Sequence, residues 1–110
     1  AKMAQKVNIV IDQGTTFNTT FTFTDDNNDL INFSTYTGAS QMRKSYSSTT
    51  SHAFTVGLGN NGIISLGMSA NTTSAITAGR YLYDLEVTDI SGVKSRLVEG
   101  IVTVTPEITR

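Results

Sequence analysis

Ala78-Gly79-Arg80-Tyr81-Leu82-Tyr83-Asp84-Leu85-Glu86-Val87-Thr88-Asp89 is the stretch on which the reading of this chain turns. Tyr81, Tyr83, Leu85 and Val87 alternate with Leu82, Asp84, Glu86 and Thr88. A period of two places an aromatic and aliphatic row on one face and a mostly polar row on the other, as in a half-buried strand. Gly79 supplies a sharp entry, and Asp89-Ile90-Ser91-Gly92 supplies an exit turn. The run from Val93 to Val104 is long enough to pair back as an antiparallel hairpin.

Working outward, five further segments carry strand signals. Lys6 to Ile11 reads as a first strand, and Phe17 to Thr24 as a second with Phe17, Phe21 and Phe23 on one face. Ala39 to Lys44 is a third, with Ser40 and Met42 facing in and Gln41 and Arg43 facing out. Phe54, Val56 and Leu58 mark a fourth, and Ile64, Leu66 and Met68 a fifth. Leu30-Ile31-Asn32-Phe33 returns into the core after the acidic loop Asp25 to Asp29, and Ser45 to Ser51 is a polar loop. Asn71 to Thr77 reads as one helical turn at a corner, dropping Ile76 inward. In the last strand Leu97, Ile101 and Thr103 share one face and Val98, Val102 and Val104 the other. Glu99-Gly100 suggests the bulge that switches between them.

Seven strands at intervals of about 8–12 residues define an all-β, immunoglobulin-like antiparallel β-sandwich. Tyr81 stands where that architecture places a corner tyrosine, and Tyr83 where antibody domains hold a cysteine. The 110 residues make one domain, with residues 1–5 expected as a loose start and Met3 as the natural first residue after Ala1-Lys2.

Composition narrows the chemistry. There is no cysteine, which excludes a disulfide scaffold, a thiolate metal site and a cysteine nucleophile within the chain. A net charge of −1 exerts no pull on nucleic acid or anionic lipid. No apolar run approaches the roughly 18 residues that span a bilayer, and no h-region follows the two early lysines, so no leader is expected. Charged residues make up only 15% of the chain, and Thr is the commonest type, which leaves a hydroxyl- and amide-covered surface.

Candidate sites are few. Gly57-Leu58-Gly59-Asn60-Asn61-Gly62 spells G-x-G-x-x-G, but Ile63 to Met68 after it reads as strand. The dinucleotide motif needs a helix there, so a hairpin turn is expected and no cofactor. The Asp25–Asp29 loop has carboxylates for calcium but lacks the twelve-residue ligand pattern, and reads as a solvated loop. His52 is the single histidine, so no two-histidine metal face exists; no G-x-S-x-G elbow ties a serine to it, and a surface position is expected. No metal ligand and no catalytic residue is assigned. Arg43, Lys44, Lys94 and Arg96 are close cationic pairs that form a small basic patch if the third and seventh strands are neighbours. Tyr36 and Tyr46 flank the third strand, where they line a contact or cap the core. These six residues are the candidate partner contacts.

One further signal comes from likeness. Gln13-Gly14, Phe23-Thr24-Asp25, Gln41 to Tyr46, Ala78 to Leu85, Arg96 to Gly100 and Val104 to Glu107, in that order, resemble small structural proteins of tailed phages and prophages. They are also similar to the N-terminal domain of the phage baseplate upper protein. The resemblance runs from Val7 to Arg110, and Ala-Gly-x-Tyr-x-Tyr-Asp-Leu and Arg-Leu-x-Glu-Gly are its more specific segments. It implies an immunoglobulin-like sandwich without enzymatic activity, located in the virion and made in the bacterial cytoplasm. Its partners are then other virion proteins and further copies of itself, in a tail, baseplate or neck assembly or as capsid decoration, with neither nucleic acid nor membrane involved. The rival expectation is a recognition module whose loops bind a glycan or protein of the host surface.

Overall fold

A computed structural model of the chain describes residues 5–45 and 51–107. Nine strands and one short helix follow one another: β1 (Gln5–Lys6), β2 (Ile9–Asp12), β3 (Phe17–Thr22), β4 (Thr37–Arg43), β5 (His52–Ala53), β6 (Thr55–Leu58), β7 (Ile63–Met68), α1 (Ala70–Ser74), β8 (Gly79–Thr88) and β9 (Lys94–Thr105). The larger sheet has the order β1-β9-β8-β4-β5, with β2 continuing along β9; the smaller has the order β3-β7-β6. The two sheets pack as an all-β, immunoglobulin-like sandwich. Counted as segments these are the expected seven, because β1 with β2 and β5 with β6 are interrupted strands.

Each interruption has a local cause. Between β1 and β2, the Val7 N–H still donates to the Glu99 carbonyl, but the next bond is made by the Asn8 side chain, whose Oδ1 accepts from the Ile101 N–H at 3.1 Å. Between β5 and β6, Phe54 is buried and its N–H donates to the Ser40 carbonyl. There the chain leaves the larger sheet, where β5 pairs with β4, and enters the smaller, where β6 pairs with β7.

Three expectations are corrected. The sandwich is not wholly antiparallel: β1 and β2 both run parallel to β9. Residues 1–5 are not all a loose start, since Gln5 pairs with Val98 in β1. The bulge in β9 is not at Glu99-Gly100. Leu85 faces Val98 and Glu86 faces Arg96, so Leu97 is the extra residue. From there on Val98, Gly100, Val102 and Val104 hold the inward phase. Gly100 serves a different purpose, because a Cβ on it would collide with the Val7 carbonyl.

The core is the one that period-two patterning marks out. Ile9, Ile11, Met42, Ile64, Leu66, Met68, Tyr81, Tyr83, Leu85, Val87, Val98, Val102 and Val104 are buried from strands, and Phe23, Phe33, Phe54 and Ile76 from the connections. Fully burying a side chain of this size is worth about 1.5–3 kcal/mol, so this row supplies most of the driving force for folding. The helical turn at the corner is α1. Ser69 caps it by accepting from the Thr72 N–H, and Ile76 beyond it is buried. Thr73 is fully buried; its hydroxyl donates to the Thr15 carbonyl at 2.7 Å and accepts from the Gly14 N–H, clamping α1 to the β2–β3 turn.

The Tyr81 hydroxyl donates to the Thr77 carbonyl at 2.6 Å, the bond that defines a tyrosine corner. Gly57 to Gly62 lies in the antiparallel β6–β7 hairpin, with Gly62 at φ 78°, as the hairpin reading expects. At the β8–β9 turn the Asp89 carboxylate accepts from the N–H groups of Ser91 and Val93, and Gly92 takes the left-handed conformation.

Candidate interaction surface

The solvent face of the larger sheet is the broadest functional candidate. Strand alternation points Ala39, Gln41 and Arg43 outward from β4, and Leu82, Asp84 and Glu86 outward from β8. The registers then set them in rows. Arg43 stands opposite Leu82 and Leu82 opposite Ile101; Gln41 stands opposite Asp84 and Asp84 opposite Glu99; Ala39 stands opposite Glu86 and Glu86 opposite Arg96. Lys6 extends the middle row beyond Glu99. This face is concave, an open hollow of about 530 Å³ lined in part by Ala39, Gln41, Asp84 and Glu99.

The third and seventh strands are not neighbours. β8 lies between β4 and β9, so the proposed basic patch does not form as one cluster. Instead the cations flank a row of carboxylates. Arg96 bridges Asp84 at 3.4 Å and Glu99 at 3.3 Å. Both contacts are solvent-exposed, so each contributes at most about 1 kcal/mol. Lys94 faces Thr88 and Arg43 faces Leu82, six residues apart along β8 and so roughly 20 Å from one another. Lys44 is on neither strand. Its Nζ lies 4.6 Å from the centre of the Tyr81 ring, a cation–π contact at the sandwich end.

Asp84 is the carboxyl with a displaced proton affinity on this face. Partial burial pushes its pKa up, the nearby Glu86 adds to the rise, Arg96 opposes it, and Glu99 and Arg43 follow with smaller effects of opposite sign. The arrangement is a mixed-charge sheet face, suited to contacting a polar protein surface. Among the described residues, no group of three or more His, Asp or Glu side chains is placed to hold a metal ion.

The remaining candidates separate in space. Tyr36 is half-buried and packs edge-on to Phe33 at 5.1 Å between centroids, so it caps the core. Tyr46 lies outside the described residues. His52 is half-buried in β5 with its ring edge-on to Tyr81 at 6.0 Å, and is thus less exposed than expected. In the acidic loop the Asp25 carboxylate accepts from the N–H groups of Asn27 and Asp29, and Thr24 bridges Leu30 to close a hairpin loop. Sequence reading did not group Asp84, Glu86, Glu99 and Lys6. The outward phase of Asp84 and Glu86 was legible, but their meeting with Glu99 depends on the bulge at Leu97.

No protein-family model and no curated protein matches the sequence. Among solved structures the chain is similar to part of an internalin-like protein of Listeria monocytogenes, with 15% identity and a TM-score of 0.47 over 93% of this chain and 28% of that one. It is also similar to part of a family 123 glycoside hydrolase from Clostridium perfringens, with 16% identity and a TM-score of 0.43 over 96% of this chain and 24% of that one. The chain thus spans about a quarter of the length of each.

Proposed function

We propose that the chain is a non-enzymatic structural component of a tailed-phage or prophage virion, working through protein–protein contacts in a tail, baseplate or neck assembly or on the capsid. The observation that carries this reading is the resemblance of Ala78 to Leu85 and Arg96 to Gly100 to phage structural proteins. These two segments lie side by side in β8 and β9, the central hairpin of the larger sheet. A rigid sandwich with a broad mixed-charge face also supports it, since such a face can dock several neighbours without a ligand pocket. The test is mass spectrometry of particles purified after prophage induction in the bacterium that encodes the chain. Recovery of the chain at a fixed ratio to the other virion proteins is expected; its absence from intact particles would overturn the reading.

A second reading, a host-surface recognition module, draws on the β8–β9 turn. Ile90 is 84% exposed there and Val93 58%, an apolar tip of the kind that inserts into a protein surface. Cell-binding assays with the wild type and with Ile90→Ser separate the two readings.

A further inference from the structure

We propose that the free edge of β3 is a homodimer interface, in which β3 pairs antiparallel with β3 of a second copy about a two-fold axis at Thr20. Within one chain β3 is the outer strand of the smaller sheet, and among the described residues its strand partner is β7 alone. Just past the strand, the Phe23 N–H donates to the Gly62 carbonyl on the β7 side. Counting back by twos, Phe21, Thr19 and Phe17 also turn their backbone groups towards β7. The N–H and C=O groups of Asn18, Thr20 and Thr22 are therefore left on the outer edge.

Edges of this kind template pairing with another chain unless something guards them. The other edges are guarded: β5 is two residues long, and the β1–β2 edge carries Lys6 and Asp12 and is broken at Val7-Asn8. β6 is four residues long. β3 is six residues long with no charge, no proline and no bulge. Its core-facing side is also unfinished. Phe17, Thr19 and Phe21 point towards the core yet remain only half-buried, because the three-stranded sheet ends at them.

A second copy satisfies this edge in one register. A strand that meets its own copy across a two-fold axis must run antiparallel to it. Centring on Thr20 sets Thr20 against the partner's Thr20 and Asn18 against the partner's Thr22, so outward polar residues meet outward polar residues. On the inner face Thr19 meets the partner's Phe21, and the half-buried rings gain a neighbour. No charge repels across the axis, and the neutral edge selects no charged partner in its place. A one-residue slip would set core-facing side chains against solvent-facing ones, and a two-residue slip would leave Asn18 or Thr22 facing a residue beyond the strand, so the Thr20-centred register is the one that engages all three outer residues. The inference stands apart from the virion reading, since the dimer is expected whatever particle or surface the chain serves.

Light scattering on the full chain from about 1 µM to about 1 mM, with amide hydrogen exchange at both ends of the range, tests it. A concentration-dependent rise to twice the 11.8 kDa chain mass is expected, together with slowed exchange at Asn18, Thr20 and Thr22. Thr20→Lys sets two ammonium groups across the axis and is expected to weaken dimerisation by at least about tenfold. Ser65→Lys, one strand inward on the same solvent face, is expected to leave it unchanged. A monomer at every concentration would overturn the proposal. So would an oligomer whose exchange at those three amides does not change with concentration, and that measurement needs no variant to fold.

Discussion

The Tyr83 hydroxyl donates a 2.7 Å hydrogen bond to the carbonyl of Val7, 76 residues earlier in the chain. Gly100 lies between them, paired with Tyr83 on β8, and its missing side chain lets the Val7 carbonyl fold down over the inner face of the sheet. One bond thus ties the central strand to the edge strand across β9.

Removing that hydroxyl leaves the Val7 carbonyl without its donor. Tyr83→Phe is expected to cost about 1–2 kcal/mol, seen as a fall in Tm of roughly 4–15 °C. Gly100→Ala is expected to cost more, because its methyl group forces β1 off the sheet; thermal denaturation of both variants checks the order.

Burial pushes the Tyr83 hydroxyl up to about 12, above the ordinary phenol value of about 10. With the folded value above the unfolded one, the protonated phenol stabilises the fold fully below about pH 10. That stabilisation is lost as pH rises through the folded value. Ultraviolet titration of tyrosinate is expected to show one tyrosine ionising well after an ordinary one, and Tyr83→Phe to abolish that last step.

For Asp84 the sign is the same, but the window lies in the acidic range. Its raised pKa means that the folded state holds this proton more tightly than the unfolded chain does. Stability is therefore lost as pH rises from the unfolded value through the folded one, and the ionised group is a liability at neutral pH. Asp84→Asn is expected to raise Tm relative to wild type more at pH 7 than at pH 4, despite losing the Arg96 contact. An equal difference at both pH values would contradict the assignment.

The corner depends on a single buried hydroxyl. Thr73→Val keeps the volume but leaves the Gly14 N–H and the Thr15 carbonyl without their partner. A loss of about 1–3 kcal/mol for each unsatisfied group is the expected range, measured by urea denaturation with an unchanged m-value. Thr73→Ser, which retains the hydroxyl, is expected to recover most of it.

Much of this was legible along the chain, and the reason is local. In a strand the side-chain period is two, so Tyr81, Tyr83, Leu85 and Val87 announce their common face without any partner strand. The same holds for Ile64, Leu66 and Met68, and for Ser40 and Met42. The corner tyrosine and the hairpin turn at Gly62 were likewise written in short spacings, because turn chemistry acts over a few residues. What alternation cannot encode is which strands stand side by side, since that depends on contacts between residues distant in sequence. Only the tertiary structure put β8 between β4 and β9, which split Arg43 from Arg96 and gathered Asp84, Glu86 and Glu99 on one face. Only it set β1 and β2 parallel to β9, moved the bulge to Leu97, and turned Lys44 onto Tyr81. It also left β3 as the outer strand of the smaller sheet while β1 and β2 pair with β9.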